Sequence, residues 1–514
     1  MSRTTRGTVV GPKWLTHFVT SPDNSAPSAT PLTGAAVKDP WPALWALVLG
    51  FFMIMVDSTI VTVATPALIQ DLGAEVNSVV WVTSAYLLAY AVPVLITGRL
   101  GDRFGSKNLY IAGLVVFTLA SLWCGLTDSV GMLIVARIVQ GLGASMITPQ
   151  TMAIITRIFP AERRGQAMAL WGATAGVALL VGPLLGGVLV DGLGWEWIFF
   201  INIPVGILAI LLAIRLVPTL GTHPHRFDWL GVALSGAGMF LLVFGIQEGH
   251  QFDWGTVTGV ITVPRMIIGG LVVFGLFVLW QARNTSEPLV PLGLFKERNF
   301  SLANLAIMTI SFAFTAIGFP LMLWAQLVRG LSPTQSALLL VPMALMSILL
   351  APVVGKLTDR LHPRSITAVG FTTTGLALLW LALGLSPDVP YWHLLAPMAL
   401  MGAGSAGIWA PLSATATRNL PQHLAGAGAG VYNATRQVGA VLGAAAIAVL
   451  MDARLSANGL EFDPSHAVAG AALPPQAYGA FSDAMGQALL ITPAVLVLGL
   501  GAVLLFTRPV HAQR

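Results

Sequence analysis

Apolar segments alternate with short polar stretches along the chain, from about residue 42 to its end. Each segment holds about 17 to 25 residues, the length that a helix needs to cross the apolar core of a bilayer. The pattern predicts fourteen membrane-spanning helices and hence an all-α integral membrane protein. Their expected centres are Ile54, Ala89, Phe117, Gly143, Leu179, Leu208, Met239, Phe274, Phe314, Met343, Leu378, Gly402, Gly439 and Leu496.

The placement of Lys and Arg predicts the orientation, because positively charged short loops stay in the cytoplasm. With the N-terminus inside, 21 of the 26 Lys and Arg residues lie on the cytoplasmic side. Acidic residues such as Asp128, Glu196 and Asp388 lie in the outer loops instead. We therefore expect an even number of spans, with both termini in the cytoplasm.

Composition narrows the class of protein further. Only 9% of the residues are charged, whereas an average soluble protein has about 25%. The basic residues stand singly or in small groups rather than in one patch, which argues against a nucleic-acid partner. The single cysteine, Cys124, cannot form an internal disulfide, and its apolar segment holds no His or acidic cluster for a metal. We therefore expect that the protein has no cofactor. We also expect that it lies in a lipid bilayer.

Two motifs recur at the same distance along the chain. The stretch 98–104 returns as 355–361, and Gly182 to Gly186 returns as Gly439 to Gly443, both at an offset of 257 residues. Two helical halves are thus related by duplication, as in transporters built from parallel repeats. Eight spans separate the repeated loops, so two six-helix bundles would leave two extra central helices. The predicted division is a flexible tail 1–41, a first bundle 42–217, an inserted pair 218–284 and a second bundle 285–514 with a long outer loop at about 452–485.

Asp57 is the one acidic residue, of 21, that lies well inside a predicted span. A charge at that depth costs about 2.5 to 3.5 kcal/mol even on a lenient scale, so it indicates a function by default. Arg137 is expected at a similar depth, about 10 Å below the outer end of its span against about 14 Å for Asp57. Such a pair suits a proton carrier, because burial raises the pKa of a carboxyl group and a nearby guanidinium lowers it. The alternative is a structural salt bridge or a carboxylate beside a water-filled cavity.

Other polar residues leave two interpretations open. Gln140 and Gly141 share a helix face with Arg137, and the glycine would admit a neighbouring helix closely. Arg436 is the only deep charge of the second half and has Asn433 and Gln437 nearby. It either faces a central cavity as a substrate or coupling contact, or it satisfies carbonyl groups between helices.

Five motifs together resemble the major facilitator superfamily, and specifically its fourteen-helix drug:proton antiporter branch. They are Gly98-Arg99-Leu100-Gly101-Asp102-Arg103-Phe104-Gly105-Ser106-Lys107, Arg137-Ile138-Val139-Gln140-Gly141, Gly182-Pro183-Leu184-Leu185-Gly186-Gly187, Asp57-Ser58-Thr59-Ile60-Val61 and Trp195-Glu196-Trp197-Ile198-Phe199-Phe200-Ile201-Asn202-Ile203-Pro204-Val205-Gly206. The resemblance covers residues 42 to 507. It departs from the family in the single basic residue Lys107 and in His362-Pro363, which stand in the second half where the first has Gly105.

The resemblance implies roles for these residues. It assigns proton coupling to Asp57 and Arg137. The gating loop would be Gly98, Asp102, Arg103 and Gly105, with Asp359 and Arg360 in the second copy. The antiporter motif would be Gly182, Pro183, Gly186 and Gly187, and the candidate substrate cavity would hold Gln140, Asn433, Arg436 and Gln437.

The implied function is proton-coupled antiport that exports small, largely apolar or cationic compounds across the cytoplasmic membrane of a bacterium. The partners would be protons and a small amphipathic or cationic drug-like substrate. The protein would be a monomer, and it would not be an enzyme. A lipid flippase or an exporter of an endogenous metabolite on the same fold is the alternative. An ATP-driven pump is disfavoured because Gly355-Lys356 is followed by Leu357, where a phosphate-binding loop has Ser or Thr.

Overall fold

The computed structural model describes residues 39–73, 76–160, 163–222, 228–249, 252, 254–284, 288–421, 424–460 and 473–507. Helices dominate these ranges. Those before the centre of the chain are α1 (Trp41–Asp71), α2 (Val76–Ala91), α3 (Val94–Phe104), α4 (Ser106–Gly125), α5 (Val130–Ile158), α6 (Arg164–Leu193), α7 (Trp197–Phe200), α8 (Asn202–Leu216), α9 (Trp229–Gln247) and α10 (Val263–Arg283). Those after it are α11 (Arg298–Leu327), α12 (Pro333–Leu338), α13 (Val341–Arg360), α14 (Pro363–Gly384), α15 (Trp392–Arg418), α16 (Ala425–Ala457), α17 (Tyr478–Leu489) and α18 (Ile491–Leu504).

The helices confirm the predicted number of spans. In the described part of the chain, 13 helical segments are long and apolar enough to cross a membrane, and there are 14 if one bent pair counts as a single span. That pair is α2, which ends at Ala91, and α3, which begins at Val94 directly after Pro93; the angle between them is 46°. A proline has no N–H to continue the helix ladder, so a bend is expected there. All of the predicted span centres fall inside these segments.

Glycines bring equivalent helices of the two halves into close contact. A Cβ atom added to Gly182 in α6 would collide with Thr59 of α1, and one added to Gly439 in α16 would collide with the carbonyl of Met308 in α11. These two glycines are related by the 257-residue offset. The repeat in the sequence therefore corresponds to a repeat in helix packing, as expected for close contacts between membrane helices through small residues.

The inserted pair lies against both halves. Its helices α9 and α10 pack on each other, and α9 also contacts α2 of the first bundle and α16 of the second. Two short antiparallel strands that the sequence did not predict, β1 (Thr256–Thr258) and β2 (Ile261–Thr262), connect the two helices.

The long outer loop predicted at about 452–485 is wrong at both ends. Helix α16 continues to Ala457, and α17 begins at Tyr478. The polar residues of α17 gave the segment a loop-like pattern. One of them, Ser482, is buried and accepts a hydrogen bond of 2.8 Å from the indole N–H of Trp324, so its polarity is satisfied within the helix bundle. At the other end of the chain, α1 begins at Trp41, one residue before the predicted boundary.

Candidate functional site

Asp57 and Arg137 form an ion pair deep inside the first bundle. A guanidinium nitrogen of Arg137 lies 2.6 Å from a carboxylate oxygen of Asp57, and neither side chain is exposed. Ser129 caps the start of α5, because its side chain accepts a hydrogen bond from the Met132 N–H. The depth of Arg137 follows from its distance along α5 from this capped end. The structure thus brings together the two residues that matching depths predicted to pair.

Two amides complete the surroundings of the Asp57 carboxylate. Its other oxygen accepts from the side-chain N–H groups of Gln140 at 2.9 Å and Asn202 at 2.8 Å. The Ser121 hydroxyl accepts from both amides, and the Gln140 carbonyl accepts from Arg137 at 2.6 Å. We call these five side chains the Asp57 network; helices α1, α4, α5 and α8 each contribute to it.

Arg137 makes two further contacts with α2. Its Nε donates to the carbonyl of Val82 at 3.2 Å, and its guanidinium lies 3.9 Å from the centre of the Tyr86 ring. Its remaining terminal nitrogen, Nη2, is buried and has no hydrogen-bond partner. The face of an aromatic ring attracts a cation, so the Tyr86 ring also stabilises the guanidinium.

This geometry suits an ionised carboxylate. A carboxylate only accepts hydrogen bonds, and all three of its partners here are N–H donors. Arg137, Gln140 and Asn202 occupy three of the roughly four acceptor positions of the carboxylate, and protonation would remove the negative charge that attracts Arg137. Hydrogen bonds at this site therefore link the carboxyl group of α1 to helices α5 and α8.

Asp102 joins the two bundles at the end predicted to be cytoplasmic. Its carboxylate accepts from the backbone N–H groups of Gly426 at 3.1 Å and Ala427 at 3.0 Å, at the start of α16. Arg157 pairs with the same carboxylate at 2.9 Å. A negative charge is favoured at a helix N-terminus, where the first N–H groups have no partner within the helix. We call the contact between Asp102 and the start of α16 the latch.

Two glycines shape the chain around the latch. A Cβ on Gly98 would lie 2.8 Å from the carbonyl oxygen of Gly426, so only glycine allows α3 and α16 to cross this closely. Gly105 has φ +91° at the start of α4, a backbone conformation that favours glycine. The structure thus explains why glycine occupies both of these positions in the predicted gating loop.

The charged members of the predicted gating loop are distributed differently. Arg103 is half-buried and its guanidinium lies 5.3 Å from the centre of the Phe104 ring, beside it in the chain. Arg360 is exposed at the end of α13. The side chain of Asp359 lies outside what the structure describes.

The antiporter motif lies in α6 where this helix packs on α1. Gly182 and Gly186 are buried, and Gly182 faces Val56 and Thr59, which lie one residue before and two residues after Asp57 in α1. Gly187 has open space where a Cβ would stand. Pro183 lies within a helix that continues to Leu193. The motif therefore borders the helix segment that carries Asp57.

The four residues predicted for a substrate cavity lie in four different surroundings. Gln140 belongs to the Asp57 network. Asn433 is buried and donates to the carbonyl of Ala429 at 2.9 Å. Arg436 is half-buried and donates from Nη2 to the hydroxyl of Tyr90 in α2 at 3.1 Å, which is a contact between the two bundles.

Gln437 lines a cavity of about 320 Å³. Helices α2, α9, α11 and α16 surround this space, so both bundles and the inserted pair contribute to it. The other lining residues are Leu87, Ala91, Val243, Ile246, Trp254, Thr315, Ala440, Val441, Ala444, Ala445 and Ala448. We call it the α2–α16 cavity.

A larger cavity, of about 760 Å³, lies between α1, α6 and α8 of the first bundle and α13 of the second. Its walls are mostly apolar and include Trp45, Phe52 and Leu170, with Lys356 and Gln166 as polar members. An apolar pocket with a few polar groups is typical of sites that bind small organic molecules. We call it the α6–α13 cavity.

Sequence reasoning missed two members of the Asp57 network, Ser121 and Asn202. Asn202 stands within the Trp195 to Gly206 motif, where it is a polar residue among apolar neighbours. A buried amide needs hydrogen-bond partners, so this isolated polarity was a signal. In the described residues, no group of three His, Cys, Asp or Glu could hold a metal ion.

Comparison with known proteins places these features in a family. Residues 47–444 match the family model of the Major Facilitator Superfamily. The chain is 52% identical over 473 residues to an uncharacterized MFS-type transporter of Mycobacterium tuberculosis, covering 91% of this chain and 81% of that protein.

Two further relatives have names that describe resistance to drugs. The tetracenomycin C resistance and export protein of Streptomyces glaucescens is 32% identical over 520 residues, with 95% of each chain covered. The multidrug resistance protein Stp of Mycobacterium tuberculosis is 32% identical over 412 residues, which cover 80% of this chain and 75% of that protein.

Proposed function

The chain belongs to the major facilitator superfamily, within its multidrug efflux branch, and we propose that it is a proton-coupled antiporter that exports small amphipathic compounds across the cytoplasmic membrane. Its status as a multi-span membrane transporter follows from the family. The coupling ion and the direction of transport are the proposal. The observation that carries it is the enclosed Asp57–Arg137 pair.

Asp57 is suited to carry the proton because its hydrogen-bond partners lie on two other helices, α5 and α8. In the arrangement observed, three N–H donors surround the carboxylate. A movement of α1 relative to α5 or α8 would remove an N–H donor and admit a proton in its place. Protonation and helix movement then favour each other, which is the requirement for coupling.

The latch supports the same cycle. While Asp102 holds the start of α16, the predicted cytoplasmic ends of the two bundles stay together. Release of this contact would let the bundles separate at that end and admit a substrate from the inside. Transporters of this architecture alternate access by rocking one bundle against the other. The latch would therefore be closed when the proton site is accessible from outside.

The α6–α13 cavity supports an amphipathic substrate. Its apolar walls would bury the hydrophobic part of a small molecule, and Gln166 and Lys356 would contact its polar part. The names of the antibiotic-exporting and multidrug-resistance relatives fit this chemistry. The apolar wall favours drug-like molecules over sugars, because a sugar would need many more hydrogen-bonding groups in the wall.

Transport by the purified protein in liposomes tests the proposal. A pH gradient, acidic on the side that corresponds to the cell exterior, should drive a fluorescent dye toward that side without any nucleotide. The matched control is Asp57→Asn, which keeps the size and hydrogen bonding of the side chain but cannot release a proton. Equal gradient-driven transport by both proteins, or a requirement for ATP, would contradict the proposal.

A further inference from the structure

One charged side chain in the middle of the described spans lacks a partner of opposite charge. Away from the helix ends, the described spans enclose three charged side chains, fully or in part: Asp57, Arg137 and Arg436. Asp57 and Arg137 pair with each other. Arg436 has no acidic partner among the described residues, since the ion pairs found there involve only Asp57 and Asp102 as acids. An arginine stays protonated in proteins, so this charge lacks compensation.

Arg436 is far from both ends of its helix. It stands 11 residues into α16, about 16 Å from the helix start, and α16 is 33 residues long. Intramembrane charges almost always pair with one another, with backbone carbonyls or with a substrate pathway. Here the guanidinium contacts only the Tyr90 hydroxyl among the hydrogen bonds of the described residues, and its buried Nε has no partner.

Two neighbours on the same turn also carry unused polar atoms. The hydroxyl of Tyr432 and the side-chain carbonyl oxygen of Asn433 are buried without a hydrogen-bond partner. Buried polar groups are normally satisfied, and each exception calls for a specific explanation. Three unsatisfied atoms between residues 432 and 436 mark a place where a ligand could supply the missing partners.

This place adjoins the α2–α16 cavity. Gln437 follows Arg436 in the chain and lines that cavity, and Tyr90, which receives the Arg436 hydrogen bond, lies between the lining residues Leu87 and Ala91 of α2. A molecule in the cavity would have mostly apolar walls, and Arg436 lies next to the lining residue Gln437 in the chain and bonds to Tyr90 beside the lining residue Ala91.

We propose that Arg436 binds an acidic group of the transported molecule, so that the preferred substrates are small amphipathic anions such as aromatic carboxylates or phenolates. This inference rests on the proposed function and names its substrate class; it places the acidic group beside the α2–α16 cavity, a position separate from the α6–α13 cavity. It differs from the expectation of cationic substrates. A cation would be repelled by the unpaired charge of Arg436, whereas an anion would neutralise it. The planar guanidinium also matches a carboxylate in geometry.

The charge of the substrate sets how transport responds to voltage. When one proton enters for each anion that leaves, both movements carry positive charge inward, so a membrane potential negative inside drives the exchange. When a monovalent cation leaves instead, the two movements cancel electrically. Anion export by this protein should therefore accelerate with the membrane potential as well as with the pH gradient.

Binding of three dyes that share one fluorophore tests the proposal independently of transport. Dansylglycine is an anion, its amide is neutral and dansylcadaverine is a cation. We expect the purified protein to bind dansylglycine about tenfold or more tightly than the amide, as charge-assisted hydrogen bonds are the stronger ones, and dansylcadaverine weakest. Arg436→Gln should abolish the preference, and Arg436→Lys should keep part of it.

A matched control lies on the same helix. Arg454→Gln removes an exposed guanidinium near the far end of α16 and should leave the dye preference unchanged. Equal binding of the three dyes, no detectable binding of dansylglycine, or loss of its preference in both Arg→Gln variants would overturn the anion site. Anion binding that depends on Arg436 without gradient-driven transport would instead overturn the proposed antiport and leave the site standing.

Discussion

The guanidinium of Arg137 donates to the carboxylate of Asp57 over 2.6 Å, between α5 and α1, and solvent reaches neither side chain. Breaking such a buried pair from one side is strongly destabilising, because the other charge stays behind without compensation. Removing the charge on both sides has a much smaller cost. This asymmetry separates a structural role of the pair from a role in proton transfer.

Asp57→Asn should lose proton-coupled export, and it should still fold, although with lower stability because it leaves the buried charge of Arg137 unpaired. Asparagine can still accept from Gln140 and Asn202, so packing is largely kept, but it has no proton to release. Dye export driven by a pH gradient in liposomes should fall to the level of liposomes without protein. Asp57→Glu is the control that restores ionisation, and it should recover part of the activity. Full export by Asp57→Asn would remove this residue from the mechanism.

Arg137→Ala should destabilise the protein by about 3 to 5 kcal/mol, because it leaves the Asp57 charge buried and unpaired. The measurement is the thermal unfolding midpoint of the detergent-purified protein. The double variant with Asp57→Asn and Arg137→Gln removes both charges and should regain most of the stability. Recovery of gradient-driven export in the double variant as well would show that the pair is only structural.

The ion pair was predictable from the sequence, whereas its amide partners were not. A helix advances by a constant rise per residue, so the depths of Asp57 and Arg137 follow from where their spans begin. Which helices touch does not follow from depth. Asn202 reaches Asp57 because α8 packs on α1, and a contact 145 residues away in the chain leaves no periodic signal.

The same reasoning explains the errors at helix ends and in the candidate cavity. A hydrophobic pattern locates the middle of a span well, but the amphipathic start of α17 has too many polar residues to be recognised before its partner Trp324 is known. Gln140 was placed on the face of Arg137 correctly. That face points into the bundle, toward Asp57, and only the packing of α1 on α5 shows that it belongs to the Asp57 network.

Glu248→Gln should stabilise the protein at neutral and alkaline pH. Glu248 follows α9 and is 3% exposed, and burial raises its pKa above the ordinary value of 4.5, although a hydrogen bond from Ser84 opposes this shift. The folded state then holds the proton more strongly than the unfolded state. Stability is therefore complete below about pH 4.5 and declines as the pH rises through the folded pKa.

Unfolding midpoints measured from pH 4 to 8 check this sign. The Gln variant and the unchanged protein should agree at the acid end and diverge as the pH rises, with Gln the more stable. Asp388→Asn, which neutralises an exposed carboxylate, should show no such divergence. A Gln variant that is less stable than the unchanged protein at pH 8 would contradict the assignment.

Asp102→Asn should open the latch. The substitution removes the negative charge that binds the N–H groups of Gly426 and Ala427 and that pairs with Arg157. Hydrogen bonds to charged groups contribute about 1.5 to 3 kcal/mol each, so weakening one of them would favour separation of the bundles by roughly 10- to 100-fold. The predicted cytoplasmic ends should then be apart for a larger fraction of the time.

Alkylation of a single cysteine measures this opening. Cys124 is the only cysteine of the chain, so Cys124→Ala provides a background without thiols, and Leu95→Cys places a reporter on α3 at a site 7% exposed beside Gly430 of α16. Asp102→Asn should speed its reaction with a water-soluble maleimide by about tenfold or more. Lys107→Gln, which removes a charge that contacts only the Ile214 carbonyl within the first bundle, should leave the rate unchanged. An unchanged rate in Asp102→Asn, or an equal rise in both variants, would show that the contact with α16 does not hold the bundles together.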